Sequence, residues 1–137
     1  MFLLDTNVVS ELRKGSRADP GVVAWITQID DADLFLSVVV SGELRQGVER
    51  LRLRDAVQAE SLDRWLRALN DEYAERLLPV DSRIADLWGR LNAPDPISAV
   101  DGLLAATAIV HGLTFVTRNV RDVERTGVRL HNPFRSG

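Results

Sequence analysis

Phe2-Leu3-Leu4-Asp5-Thr6-Asn7-Val8-Val9-Ser10-Glu11-Leu12 is the stretch that decides the fold. A short apolar run is stopped by a carboxylate, a polar turn follows, and apolar residues then return at helical spacing. Residues 1–4 read as a buried strand and residues 6–13 as a helix, which Lys14-Gly15-Ser16 ends. Asp5 therefore stands at the C-terminal end of a strand. In an open α/β sheet that end of the strands is where ligands bind.

The same alternation runs down the chain. Pro20 suits a first helical turn, and Val22, Val23, Ile26 and Ile29 carry a helix to about Asp30. Residues 34–39 are β-rich and read as a second buried strand. Helical spacing returns over 41–53 and again over 55–73, where Val57, Leu62, Trp65, Leu66 and Leu69 share one face. Residues 77–80 read as a strand whose Pro79 marks a sheet edge or a strand end. Asp81 can cap a helix to about Asn92, residues 93–96 form a proline-rich loop, and Ser98 caps a very apolar helix ending near His111-Gly112. Residues 114–116 read as a strand, 117–119 as a turn, 128–130 as a last short strand and 132–137 as an irregular tail. The expectation is an α/β fold: a mostly parallel central sheet of about five short strands flanked by helices, in one domain over residues 1–137.

Composition narrows the chemistry. With no Cys and two isolated His, thiolate chemistry, disulfides and Cys-based zinc sites are excluded. No apolar stretch approaches the roughly 20 residues that span a bilayer, and the N-terminus lacks a signal-peptide pattern. A cytoplasmic protein with no membrane partner is expected. A net charge of -3 predicts no general affinity for nucleic acid. Of 17 basic residues, only Lys14 is a lysine. The arginine clusters at Arg50, Arg52, Arg54 and at Arg118, Arg121, Arg125 suit local phosphate contact, protein interfaces or solvated faces.

Three acids are placed alike. Asp5 follows the first strand, Glu43 is expected in the first turn of the helix after the second strand, and Asp101 opens the apolar helix. Asn119 follows the strand at 114–116, with Asp122 three residues later. Each has a structural reading. Asp5 can be a helix cap, Glu43 can answer a helix dipole, and Ser98 with Asp101 has capping-box spacing. Taken together, a parallel sheet brings Asp5, Glu43 and Asn119 to one edge, and the small residues Gly102, Ala105 and Ala106 let Asp101 approach it. Gathered carboxylates repel unless a divalent cation neutralises them. Oxygen-only ligands select Mg²⁺ or Mn²⁺.

At this point the residues carry a family resemblance. Leu3 to Leu12 resembles the opening of a PIN-domain nuclease. Ser41-Gly42-Glu43-Leu44-Arg45-Gln46-Gly47, Asp101-Gly102-Leu103-Leu104-Ala105-Ala106-Thr107-Ala108 and Val116-Thr117-Arg118-Asn119-Val120-Arg121-Asp122-Val123 resemble its later motifs, in order. His131-Asn132-Pro133-Phe134 resembles its closing segment. Within that family the wording is similar to VapC-type toxins of bacterial VapBC toxin–antitoxin pairs, including the FitB-like branch. The resemblance implies a Mg²⁺-dependent ribonuclease that hydrolyses RNA phosphodiesters with metal-activated water, leaving 5′-phosphate and 3′-hydroxyl ends. It carries Asp5, Glu43 and Asp101 over as metal ligands, and Asn119 or Asp122 as the fourth catalytic position. The family often has Asp where Asn119 stands. Thr6 and Thr117 are carried over as polar neighbours that position water or phosphate, and Arg118 as a contact to the scissile strand or to an acid. Implied partners are RNA, a VapB-type antitoxin whose Arg enters the acidic pocket, and a second copy in a homodimer.

The residues admit two other readings. A PIN domain that binds its partner without catalysis is motivated by the uncharged Asn119. A phosphoacceptor receiver domain would want adjacent acids after the first strand and a late Lys, whereas Asp5 is followed by Thr6 and the only Lys is Lys14.

Overall fold

The computed structural model describes residues 1–135. Its element order is β1 (Phe2–Leu4), α1 (Thr6–Leu12), α2 (Pro20–Ile26), β2 (Leu34–Ser37), α3 (Val38–Arg52), α4 (Ala56–Glu72), β3 (Leu77–Leu78), α5 (Ser82–Asn92), α6 (Ala99–His111), β4 (Thr114–Val116), α7 (Val120–Val123) and β5 (Leu130–His131). Short 3-10 turns link several of them. The five strands form one all-parallel sheet in the order β3-β2-β1-β4-β5. The expected α/β architecture holds. No helix among the described residues is long and apolar enough to cross a membrane.

The apolar opening becomes the central strand because it can be buried on every side. Leu3 pairs with Phe35 on β2 and Phe115 on β4, and Leu4 pairs with Val116. Leu3, Leu4, Leu36 and Val116 are fully buried, as are Leu104, Ala105 and Ala108 of the apolar helix α6. Each large side chain so buried contributes about 1.5–3 kcal/mol of transfer free energy. Helix α5 packs on α6, and α3 on α4. The α3–α4 pair is tied by Asp63, which accepts from Arg45 and Arg52 at 2.9 Å each. Glu11 is buried. It accepts from Lys14 at 3.0 Å and from the Asp19 N–H at 2.7 Å, so it is a brace between α1 and α2.

Several boundaries differ from expectation for local reasons. The second strand does not run to Val39. Ser37 accepts the Val39 N–H at 3.0 Å and caps α3, which starts at Val38. A cap outweighs the β-preference of three valines. Glu43 consequently lies in the second turn of α3, not the first. Helix α2 stops at Ile26, with Thr27 as its C-cap, short of Asp30. The third strand is only Leu77–Leu78, at the sheet edge that Pro79 suggested. The last strand is Leu130–His131 rather than 128–130. Residues 132–135 hold no helix or strand, and residues 136–137 of the expected tail lie outside the described residues.

Strand order positions the site. From β1 the chain moves outward to β2 and β3, then returns to the other side of β1 with β4 and β5. The reversal leaves a crevice between the C-terminal ends of β1 and β4, the switch point at which open α/β sheets bind ligands.

Candidate active site

Asp5 sits in that crevice and is 4% exposed. Its backbone N–H continues the ladder by donating to the Val116 carbonyl at 2.9 Å. Its Oδ1 accepts the Thr6 N–H at 2.7 Å, so the capping role is real. Its Oδ2 accepts from the Thr117 hydroxyl at 2.6 Å and from the Asn7 amide at 3.2 Å. Burial pushes the Asp5 carboxyl above its usual range. The bonds from Thr117 and Thr6 pull the other way, and the negative charges of Asp101 and Glu43 add to the rise. A buried carboxylate with two others nearby calls for a positive charge.

Glu43 reaches toward Asp5 from α3. The Thr6 hydroxyl donates to its Oε1 at 2.5 Å, which joins the first turn of α1 to α3. Asp101 comes from the first turn of α6. Ser98 caps that helix, and the Ser98 hydroxyl and Asp101 Oδ2 are 2.9 Å apart. The absent side chain of Gly102 matters here. A Cβ would lie 2.9 Å from Trp88 Cδ1, so glycine lets α5 close on α6 directly behind Asp101.

Asp5, Glu43 and Asp101 line one cavity of about 570 Å³, with Thr6, Asn7 and Asn119. Asn119 is fixed through its backbone N–H, which donates to Thr117 Oγ1 at 3.0 Å. Its side-chain amide has no hydrogen bond among the described residues. Asp122 lines a neighbouring cavity instead, with Asp95, Arg121 and Arg125. Asn119 shares a cavity with all three acids, whereas Asp122 shares its cavity with Asp101 alone of the three. Arg118 is absent from the acid cavity, and its guanidinium stands 4.6 Å from the Phe134 ring centroid.

Asn7 is the site residue that sequence reasoning passed over. Its amide donates to Asp5 while its Oδ1 accepts the Arg118 N–H at 3.4 Å. It thereby ties α1 to the turn after β4. The available signal was its place two residues after a strand-ending carboxylate.

The donor set is all oxygen, which fits a hard divalent cation. Among the described residues no three His, Cys, Asp or Glu side chains form a ready-made metal group.

A parallel sheet carrying this acid cavity at its switch point defines a class. The family model described as PIN domain matches residues 2–128, and the chain belongs to that family. Among its relatives, Toxin FitB of Neisseria gonorrhoeae is 34% identical over 98% of this chain and 99% of that protein. The VapC ribonuclease Y4jK of Sinorhizobium fredii is 37% identical over 98% of each. The crystal structure of FitAcB from Neisseria gonorrhoeae superposes with a TM-score of 0.89 at 33% identity, covering 97% of this chain and 98% of that one.

Proposed function

We propose that this chain is the ribonuclease toxin of a type II toxin–antitoxin pair, acting on RNA with Mg²⁺, or Mn²⁺ in its place. The observation that carries the reading is the placement of Asp5. It is a buried carboxylate raised in pKa by its surroundings, and it shares a cavity with Glu43 and Asp101. These three are the side chains that would hold the cation. When bound, a divalent cation supplies an acidified water and offsets charge on a phosphoryl oxygen.

The chain's own residues supply order. Thr117 and the Thr6 N–H fix the orientation of Asp5. The Thr6 hydroxyl fixes Glu43, and Ser98 fixes Asp101. Asn119 presents an uncharged amide that can accept from water or donate to a phosphate oxygen. Hydrolysis breaks the bond between phosphorus and the 3′ oxygen. The attacking water's oxygen stays on a 5′-phosphate, and the other fragment keeps a 3′-hydroxyl.

A toxin of this kind acts on RNA in the cytoplasm and requires a silencing partner. Solved relatives include FitAB bound to an IR36 DNA fragment, at 31% identity and a TM-score of 0.87. By likeness, a VapB-type antitoxin is the partner proposed here. An antitoxin arginine in the acid cavity would supply the positive charge that these carboxylates require. A homodimer is proposed from the family resemblance alone. The second reading, a partner-binding domain without catalysis, rests on the uncharged Asn119 lining the acid cavity.

Incubating the purified protein with total RNA in Mg²⁺ or in EDTA separates the two. Cleavage in Mg²⁺ alone, abolished by Asp101→Asn in a variant that stays folded, is the expected result. If that variant cut RNA as fast as its parent, the assignment of the site would fail.

A further inference from the structure

The cavity beside the acid site is lined in part by residues that hydrolysis leaves unused, Arg121 and Asp122 among them. Its volume is about 550 Å³, and it shares Ser98 and Asp101 with the acid cavity. The two are adjoining compartments along the first turn of α6, so a strand cut in one extends naturally into the other. Their chemistry differs. The acid cavity has three carboxylates and no basic side chain. The second sets Asp95, Asp101, Asp122 and Glu124 against Arg121 and Arg125.

Arg125 is already engaged. It donates to the Leu91 carbonyl at 3.1 Å and stands 3.8 Å from Asp95 Oδ2, which pins the loop at 93–96 to the turn after α7. The side chains of Arg121 and Asp122 have no hydrogen bond or ion pair among the described residues. An excess of carboxylates makes this cavity a poor phosphate site. Arg121 and Asp122 are both exposed, and an unpaired guanidinium and carboxylate lining one cavity suit a neutral ligand with acceptors on one edge and donors on the adjoining edge, a character that nucleobases have. Among them, guanine presents O6 and N7 to an arginine, while its N1–H and 2-amino group present paired donors to a carboxylate. Adenine would turn its amino group toward the arginine. Pro96 and Ile97 add an apolar surface for the base face.

We propose that this second cavity reads the base of a nucleotide next to the cleaved bond and prefers guanine, with Arg121 and Asp122 as the reading residues. The inference rests on the ribonuclease reading and names its sequence preference.

The test is cleavage of a randomised single-stranded RNA pool in Mg²⁺, with sequencing of product 5′ ends. The parent protein enriches guanine at one position flanking the cut. Arg121→Ala and Asp122→Asn each reduce that enrichment by roughly tenfold. Inosine, which lacks the 2-amino group, slows the parent when placed at that position and slows Asp122→Asn no further. Three results would overturn the proposal: no base enrichment in the parent, indifference of the parent to inosine, or variants that lose rate equally on every sequence with enrichment intact. A parent that cuts no RNA overturns the ribonuclease reading itself, and the two failures are thereby told apart.

Discussion

Thr117 donates its hydroxyl to the Asp5 carboxylate across 112 residues of sequence. The bond adds one side-chain rung to the β1–β4 ladder, whose last backbone pair is Leu4 with Val116. The same oxygen accepts the Asn119 N–H. One fully buried hydroxyl therefore sets the orientation of the central acid and the position of the loop facing it.

Thr117→Val keeps the shape and removes the donor. The Thr117 bond holds the Asp5 carboxyl down against the rise caused by burial, so its loss lifts that carboxyl further. If the ionised form is the one that works, the acidic limb of the kcat/KM profile moves to higher pH. Thr117→Ser restores the limb. A uniformly lower rate with the limb unmoved would confine Thr117 to packing.

Stability should depend on pH and Mg²⁺ together. The folded chain holds the Asp5 proton more tightly than the unfolded chain does. In metal-free protein this group's contribution is therefore most favourable below the ordinary carboxylate pKa. It declines as pH rises through the raised folded value. Above that window Mg²⁺ relieves the repulsion. At a hundredfold excess over Kd, binding stabilises by about 2.7 kcal/mol. Thermal melts from about pH 4, near the ordinary carboxylate pKa, up to about pH 8 should show a Mg²⁺ increment in Tm that fades toward acid. Asp5→Asn should lose the increment.

Asn119→Asp adds a charge to a cavity that already holds three carboxylates. A like charge at short range raises a neighbouring carboxyl pKa by about 1 unit or more. The metal-free protein should melt lower, and divalent cations should bind about tenfold tighter by titration calorimetry. Unchanged affinity would show that position 119 does not face the ion.

Gly21→Ala tests the anchoring of the C-terminal segment. A Cβ there would overlap the Pro133 carbonyl oxygen and stand 2.7 Å from the Arg135 N, both backbone atoms. Overpacking of this kind costs about 1–3 kcal/mol. The expected result is a lower Tm with faster amide exchange at Arg135, whose N–H now donates to Asp19 at 3.0 Å.

The sequence conveyed the architecture because its apolar runs are short and each is punctuated by a capping residue. Asp5, Asp81 and Ser98 all cap where their position suggested. Ser37 was harder to read. Val38 and Val39 look like strand, and only the bond from the Val39 N–H to the Ser37 hydroxyl turns them into helix. That choice moved Glu43 by one turn along α3 without removing it from the cavity. Asn119 and Asp122 are indistinguishable by sequence alone, since they lie three residues apart in the segment that follows β4. The separation comes from the direction in which each faces, a property of the folded turn. Asn7 reads as an ordinary turn residue until β4 arrives beside it.

Because β1 lies between partners made later, the order of synthesis delays assembly of the site. The first strand emerges from the ribosome at once, yet the strand that completes it comes from residues 114–116. Until then Asp5 has no Thr117, and Leu4 has no Val116 to cover it. A chain that ends before residue 114 therefore lacks both the strand and the hydroxyl that order Asp5, and the site can assemble only once that stretch has been made.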